Sequence, residues 1–267
     1  MDLLQAVLLG IIEGLTEFLP ISSTGHLIVA EDLVGYKDTA EIFTVVIQMG
    51  AIAAVLWFYR LDLVKKTQGL LKRDEKTIKF WINWVVATIP AIVFGLAFKD
   101  IIGEYAVSLT VGIALVVGGI IIWLIENYHK ASKNTGDAKL DELTLTQSFK
   151  VGLFQVLALI PGVSRSGATI MGGLLSGLDR VTATAFSFYL SIPVIILAGS
   201  YQLIKGHSEL GTVSGGPMAI VAGTVVSFFV ALFSIKWLLH YVSRNDFKFF
   251  AYYRIFVGLL IIFAIII

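Results

Sequence analysis

Six stretches of this chain are each about as long and as apolar as a membrane-crossing helix must be: residues 41–60, 78–98, 105–127, 184–204, 217–241 and 249–267. A helix needs about 20 apolar residues to cross a hydrocarbon core of about 30 Å, and in lipid it must satisfy its own backbone hydrogen bonds. Few soluble folds tolerate six such stretches, so the chain is expected to be an all-α polytopic membrane protein forming a single domain, 1–267. Composition agrees: 15% of the 267 residues are charged and 57% hydrophobic, against roughly 25% charged in a soluble domain. A formal net charge of +1 lacks the basic excess that binding to nucleic acid requires. The absence of cysteine excludes disulfides, thiolate zinc sites and thiol nucleophiles. The first residues carry no basic n-region or small-residue cleavage site and include Glu13 and Glu17, so they read as mature sequence.

Two further apolar stretches, 1–36 and 146–179, are interrupted by Pro20-Ile21-Ser22-Ser23-Thr24-Gly25 and by Pro161-Gly162-Val163-Ser164-Arg165-Ser166-Gly167. Their arms are too short to cross, which predicts two re-entrant helix-loop-helix hairpins beside the six transmembrane helices. Lysines and arginines concentrate at 60–79 and 128–150, including Lys65, Lys66, Lys130, Lys133 and Lys139, whereas the opposing connections hold Lys99 and Lys205. The positive-inside bias therefore makes 60–79 and 128–150 cytoplasmic, with the first hairpin entering from outside and the second from the cytoplasm. Sliding the chain against itself by 142 residues places Gly10 on Gly152, Glu13 on Gln155, Ser22 on Ser164 and Gly25 on Gly167. One hairpin plus three crossings has odd parity, so a second copy is expected upside down. The result is an inverted repeat of about 1–127 and 146–267 joined by a cytoplasmic loop 128–145, with ligands near the midplane between the breaks.

Ionisable groups at membrane depth cost about 2.5–3.5 kcal/mol each even on insertion scales, and so mark function. Glu13, Glu17, His26 and Arg165 are the candidates. The i,i+4 spacing of Glu13 and Glu17 stacks two carboxylates on one helical face, which suits a hard divalent cation such as Mg²⁺ or Ca²⁺, or else a strongly raised carboxyl pKa. Ser22, Ser23 and Thr24 bring hydroxyls to a helix start whose free N–H groups attract an anion, although at least one should simply cap the helix. His26, beside them, suits a base or proton relay. Arg165 offers a planar fork for phosphate, or else an ion pair with Glu13 or Glu17 across the repeat interface. Gln48 and Gln155 are weaker candidates that could simply hydrogen-bond within the bundle.

The run Glu13-Gly-Leu-Thr-Glu17-Phe-Leu-Pro20-Ile-Ser22-Ser23-Thr24-Gly25-His26, with Pro161-Gly-Val-Ser164-Arg165-Ser166-Gly-Ala-Thr169, resembles the bacterial undecaprenyl-diphosphate phosphatases, the bacitracin-resistance family. The likeness covers almost the whole chain. It implies hydrolysis of a C55 polyprenyl diphosphate lipid to its monophosphate and inorganic phosphate, which recycles the carrier lipid of peptidoglycan synthesis and confers bacitracin resistance. It implies a multi-pass protein of the bacterial plasma membrane, dependent on Mg²⁺ or Ca²⁺, with a site opening to the external side and a homodimeric state. Glu13 and Glu17 look like the acidic pair that holds the metal or activates the nucleophile. Ser23 is similar to the nucleophilic serine, His26 to the assisting base or acid, and Arg165 to the phosphate clamp. Ser22, Thr24, Ser164, Ser166 and Thr169 match secondary phosphate contacts. Inverted repeats with broken helices also suit a secondary transporter or flippase for a phosphate-bearing lipid, and phosphate release by the purified protein separates the two readings.

Overall fold

Backbone self-sufficiency in lipid and two interruptions shape the computed structural model, which describes the chain apart from residues 37, 39–40, 105–106, 129–137, 207–212, 214 and 267. Among the described residues there are eleven α-helices and no strand. The first broken segment forms α1 (Leu3–Thr16) and α2 (Ser23–Val34). It is followed by α3 (Ile42–Phe58), α4 (Arg60–Leu71), α5 (Glu75–Glu104) and α6 (Ser108–Tyr128). The second forms α7 (Leu145–Val156), a 3-10 turn and α8 (Arg165–Leu175), followed by α9 (Arg180–Lys205), α10 (Gly216–Val242) and α11 (Lys248–Ile266).

The four hairpin arms have 14, 12, 12 and 11 residues, each short of a full crossing. The two hairpins are built alike. Asp2 and Gln5 form a reciprocal capping box at the start of α1, and Thr144 and Gln147 form the same box at the start of α7. The Gln5 side chain reaches on to Val34 O at 2.7 Å, closing the first hairpin, while Gln147 reaches Ser176 O at 3.1 Å and closes the second. Ser22 caps the Gly25 N–H and Ser164 caps the Gly167 N–H. All of these pairs keep the 142-residue offset, although Asp2 and Thr144 share no identity.

Close packing between helices depends on small residues, as expected where lipid supplies no hydrophobic drive to associate. Helix α1 lies along α10, and a Cβ on Gly10 would sit 2.4 Å from Gly223 O. Helix α7 lies along α5, and a Cβ on Gly152 would sit 2.7 Å from Ala87 O. The matched glycines Gly10 and Gly152 thus do the same work. Helix α3 packs on α9 and α6 on α11, so each half supplies the partner of the corresponding element in the other. Helix α9 lies at the centre, with 72% of its apolar window buried against 28–33% for the other long helices.

The structure corrects three expectations. Residues 41–60 do not form one straight span: α3 has 17 residues and continues, after a 68° bend at Tyr59, into α4, so among the described residues five helices are long and apolar enough to cross alone, and six if the bent pair counts as one span. The stretch 60–79, expected as a basic loop, is largely helix α4, and Lys66 is buried there between Asp141 at 2.9 Å and Asp62 at 3.6 Å. Buried ionisable groups also extend beyond Glu13, Glu17, His26 and Arg165. Arg254 is only 2% exposed, and buried Glu126 accepts two hydrogen bonds from Arg180, at 2.5 and 3.0 Å, and one from the Phe247 N–H. Lys130, Lys133 and the rest of 129–137, half of the linker 128–145, lie outside the described residues.

Candidate active site

Both breaks end in a capped helix start, and the structure brings these two starts together. Helix α1 gives way to turns beyond Thr16, which leaves Glu17 at its end and Ser23 at the head of α2. The Ser23 hydroxyl donates to Glu17 Oε2 at 2.5 Å, a short bond of the kind expected between a hydroxyl and a carboxylate. The other Glu17 oxygen accepts from Arg165 Nη2 at 3.0 Å, across from the first residue of α8. A chain of Ser23, Glu17 and Arg165 therefore joins the two hairpins, and the ion-pair alternative for Arg165 is realised with Glu17.

Polar capacity is left over beside this chain. Glu13, one turn before Glu17 and 1% exposed, has an Oε1 atom with no hydrogen-bond partner among the described residues. The buried Arg165 Nε is likewise unpartnered, while Nη1 donates to Ser187 O at 2.9 Å. Leaving a polar atom buried and unsatisfied costs roughly 1–3 kcal/mol, so both atoms have capacity for a further partner.

The remaining candidates divide by what they touch. The Ser166 hydroxyl donates to Leu19 O at 2.7 Å, and Ser164 lies 2.9 Å from Ser166 while capping Gly167 at 3.1 Å. Thr169 donates to Ser187 Oγ at 2.7 Å. These three hydroxyls thus fasten the second break to the first and to α9. Ser22 has φ 72°, a conformation that costs a non-glycine residue of order 1–3 kcal/mol, and its hydroxyl caps α2. Thr24 is exposed and stands apart from this network. Gln155, which occupies the place of Glu13 in the second half, donates to Ala87 O at 3.2 Å and leaves its Oε1 unpartnered. Gln48 is partly buried. His26 does not bond to Ser23: its Nδ1 lies 2.7 Å from Ser22 O and its Nε2 2.7 Å from the Tyr253 hydroxyl.

Sequence reasoning missed the residue that ties the breaks together. Arg254, on α11, donates to Pro20 O at 3.1 Å in the first break and to Gly162 O at 3.3 Å in the second. It also donates to Ala114 O at 3.1 Å and Leu115 O at 3.4 Å on α6. A Cβ on Gly118 would overlap the guanidinium at 2.2 Å, so α6 is hollowed to admit it. Gly162 itself has φ 89° and passes so near Val111 that a Cβ would lie 2.7 Å from its Cα. The signal was a lone arginine inside the last apolar stretch. Ser187 and Tyr253 carried no comparable signal.

Comparison with known proteins adds a second line of observation. A family model described as bacitracin resistance protein BacA matches residues 6–260. An undecaprenyl-diphosphatase of Methylobacillus flagellatus is 46% identical over 264 residues, 97% of each chain. One of Clostridium tetani is 42% identical over 266 residues, covering 98% of this chain and 97% of its own. An undecaprenyl-diphosphatase 1 of Burkholderia cenocepacia is 46% identical over 261 residues, 97% and 94% of the two chains.

Proposed function

The chain belongs to the bacitracin resistance protein BacA family, and from that premise we propose that its two breaks form one site at which Ser23 attacks the terminal phosphorus of a polyprenyl diphosphate. The protein is a multi-pass bacterial membrane enzyme, an undecaprenyl-diphosphatase, which hydrolyses undecaprenyl diphosphate to undecaprenyl phosphate and inorganic phosphate. Its bacitracin-resistance role follows from consuming that lipid. The observation that carries the reading of the site is the chain of Ser23, Glu17 and Arg165 across the two hairpins.

In this reading Glu17 takes the Ser23 proton as the serine oxygen bonds to the terminal phosphorus. The bridging P–O bond breaks, undecaprenyl phosphate leaves with the bridging oxygen, and a phosphoserine remains. Water then attacks that phosphorus and releases inorganic phosphate, and the proton held on Glu17 returns to Ser23. Arg165, whose Nε has no hydrogen-bond partner among the described residues, binds the transferring phosphate, since phosphoryl transfer depends mostly on positioning and charge neutralisation. His26, whose Nδ1 is hydrogen-bonded to Ser22 O, assists proton transfer.

The donor set fits a divalent cation held jointly with the substrate. Among the described residues no group of three His, Asp or Glu side chains can hold an ion alone. Mg²⁺ commonly takes one or two carboxylates and completes its shell with phosphate oxygens, and the unpartnered Glu13 oxygen beside Glu17 provides for that. Glu13 and Glu17 would hold the ion, Mg²⁺ or Ca²⁺, which would neutralise phosphate charge. The reciprocal pairing of α1 with α10 and α7 with α5 supports reading the two halves as an inverted repeat. In that arrangement the site opens to the external side, the lipid tail stays in the bilayer, and two copies form a homodimer. Inorganic phosphate release from undecaprenyl diphosphate by detergent-purified wild type, Ser23→Ala and Glu17→Gln tests the site. Activity confined to the wild type supports it, and a fully active Ser23→Ala protein overturns it.

A further inference from the structure

His26 is held at both ring nitrogens, and one of the two holders lies far away in sequence. A backbone carbonyl can only accept, so the 2.7 Å contact with Ser22 O places a hydrogen on Nδ1. Protonation can then change only Nε2, which carries a lone pair in the neutral ring and an N–H in the cation. The Tyr253 hydroxyl lies 2.7 Å from Nε2, and the two rings are parallel within 5° with centroids 5.6 Å apart. A phenol both donates and accepts, so by rotating its O–H it serves His26 in either state. No other hydrogen bond is made by that hydroxyl among the described residues. The next residue, Arg254, pins this stretch of α11 to Pro20 O and Gly162 O. Tyr253 is thereby registered against the tips of both breaks.

We propose that Tyr253 is the positioning residue of His26 in the phosphatase reaction: Ser22 O fixes the Nδ1–H tautomer, and the Tyr253 hydroxyl holds the ring at Nε2, the nitrogen whose proton changes. This rests on the reading that His26 assists phosphoryl transfer. Tyr253 acts through His26 and keeps the ring's hydrogen bond intact whichever proton state it occupies.

The test uses the full-length protein in detergent as wild type, Tyr253→Phe, His26→Ala and the double variant, with phosphate release from undecaprenyl diphosphate read as kcat and KM. Tyr253→Phe keeps the aromatic ring and removes only the hydroxyl. It should lower kcat by about tenfold, less than the roughly 10²–10⁴-fold of losing an acid–base group outright, with KM unchanged, and the double variant should be no slower than His26→Ala. In ¹⁵N-histidine spectra of this four-histidine chain, the Nε2 signal of His26 should move in Tyr253→Phe. A wild-type kcat in Tyr253→Phe, or losses that multiply in the double variant, overturns the proposal. An impaired His26→Ala beside a normal Tyr253→Phe leaves the His26 reading standing, whereas a fully active His26→Ala removes that reading and the role of Tyr253 with it.

Discussion

The Ser23 hydroxyl is 2.5 Å from Glu17 Oε2, and it is this carboxylate rather than the His26 ring that the serine meets. The same carboxylate carries the Arg165 ion pair on its other oxygen, so the proposed nucleophile and the proposed phosphate-binding cation both meet the proposed proton acceptor. Glu17→Gln should therefore remove activity by at least about 10²-fold, the scale of lost general-base catalysis, while the purified protein elutes at the wild-type position in size-exclusion chromatography.

Arg165 and Glu17 are both largely buried, and removing one partner of such a pair strands the other at a cost of about 3–5 kcal/mol. Arg165→Ala should lose activity and also melt at lower temperature in detergent. Adding Glu17→Gln to it should recover much of the Tm and none of the turnover. A thermal-shift series over the two singles and the double measures both effects.

Arg254 satisfies four backbone carbonyls on three segments. Arg254→Met removes the donor shared by Pro20 O and Gly162 O and loosens the join between the two breaks, so both Tm and kcat should fall sharply. Arg254→Lys should fall between, because an ammonium carries three donors against the five of a guanidinium and lacks its planar reach.

Gly10→Ala and Gly152→Ala place a methyl 2.4 Å and 2.7 Å from the backbone oxygens of Gly223 and Ala87. Overpacking of this kind typically costs about 1–3 kcal/mol. Each variant should melt lower than wild type, and Gly35→Ala, where a Cβ meets nothing within 4 Å but the φ of 67° is unfavourable, should cost less.

Glu13 has a buried oxygen with no hydrogen-bond partner among the described residues. Chelation should abolish phosphate release, and Glu13→Gln should move the Mg²⁺ titration of activity to higher concentration. A titration that superimposes on the wild type would mean Glu13 holds no ion.

The broken hairpins and the long helices were legible because lipid permits few alternatives: a proline and glycine run in an apolar stretch ends a helix, and about 20 apolar residues make a span. The pairing of Glu17 with Arg165 was legible as one of two alternatives, since buried charges seek partners. The α3–α4 bend was not, because Tyr59 and Arg60 contain no breaker and the basic residues beyond them read as a loop. Arg254 was overlooked for the opposite reason: one arginine barely alters the hydropathy of a long apolar stretch, and its partners are carbonyls that no side-chain pattern reveals. Ser164, Ser166 and Thr169 were recognisable as hydroxyls near a helix start, but whether a hydroxyl turns to a ligand or to Leu19 O is decided by tertiary packing. The equivalence of Asp2 with Thr144 was hidden because capping needs only a side-chain oxygen, not an identical residue.

The central claim is that Ser23 becomes phosphorylated. Rapid acid quench of the purified enzyme during turnover of undecaprenyl diphosphate labelled in its terminal phosphate, followed by peptide mapping, tests it directly. Label is expected on the peptide containing Ser23 and absent in Ser23→Ala, whose turnover is lost. No trapped phosphoserine, together with substantial turnover by Ser23→Ala, would contradict it and assign the attack to water.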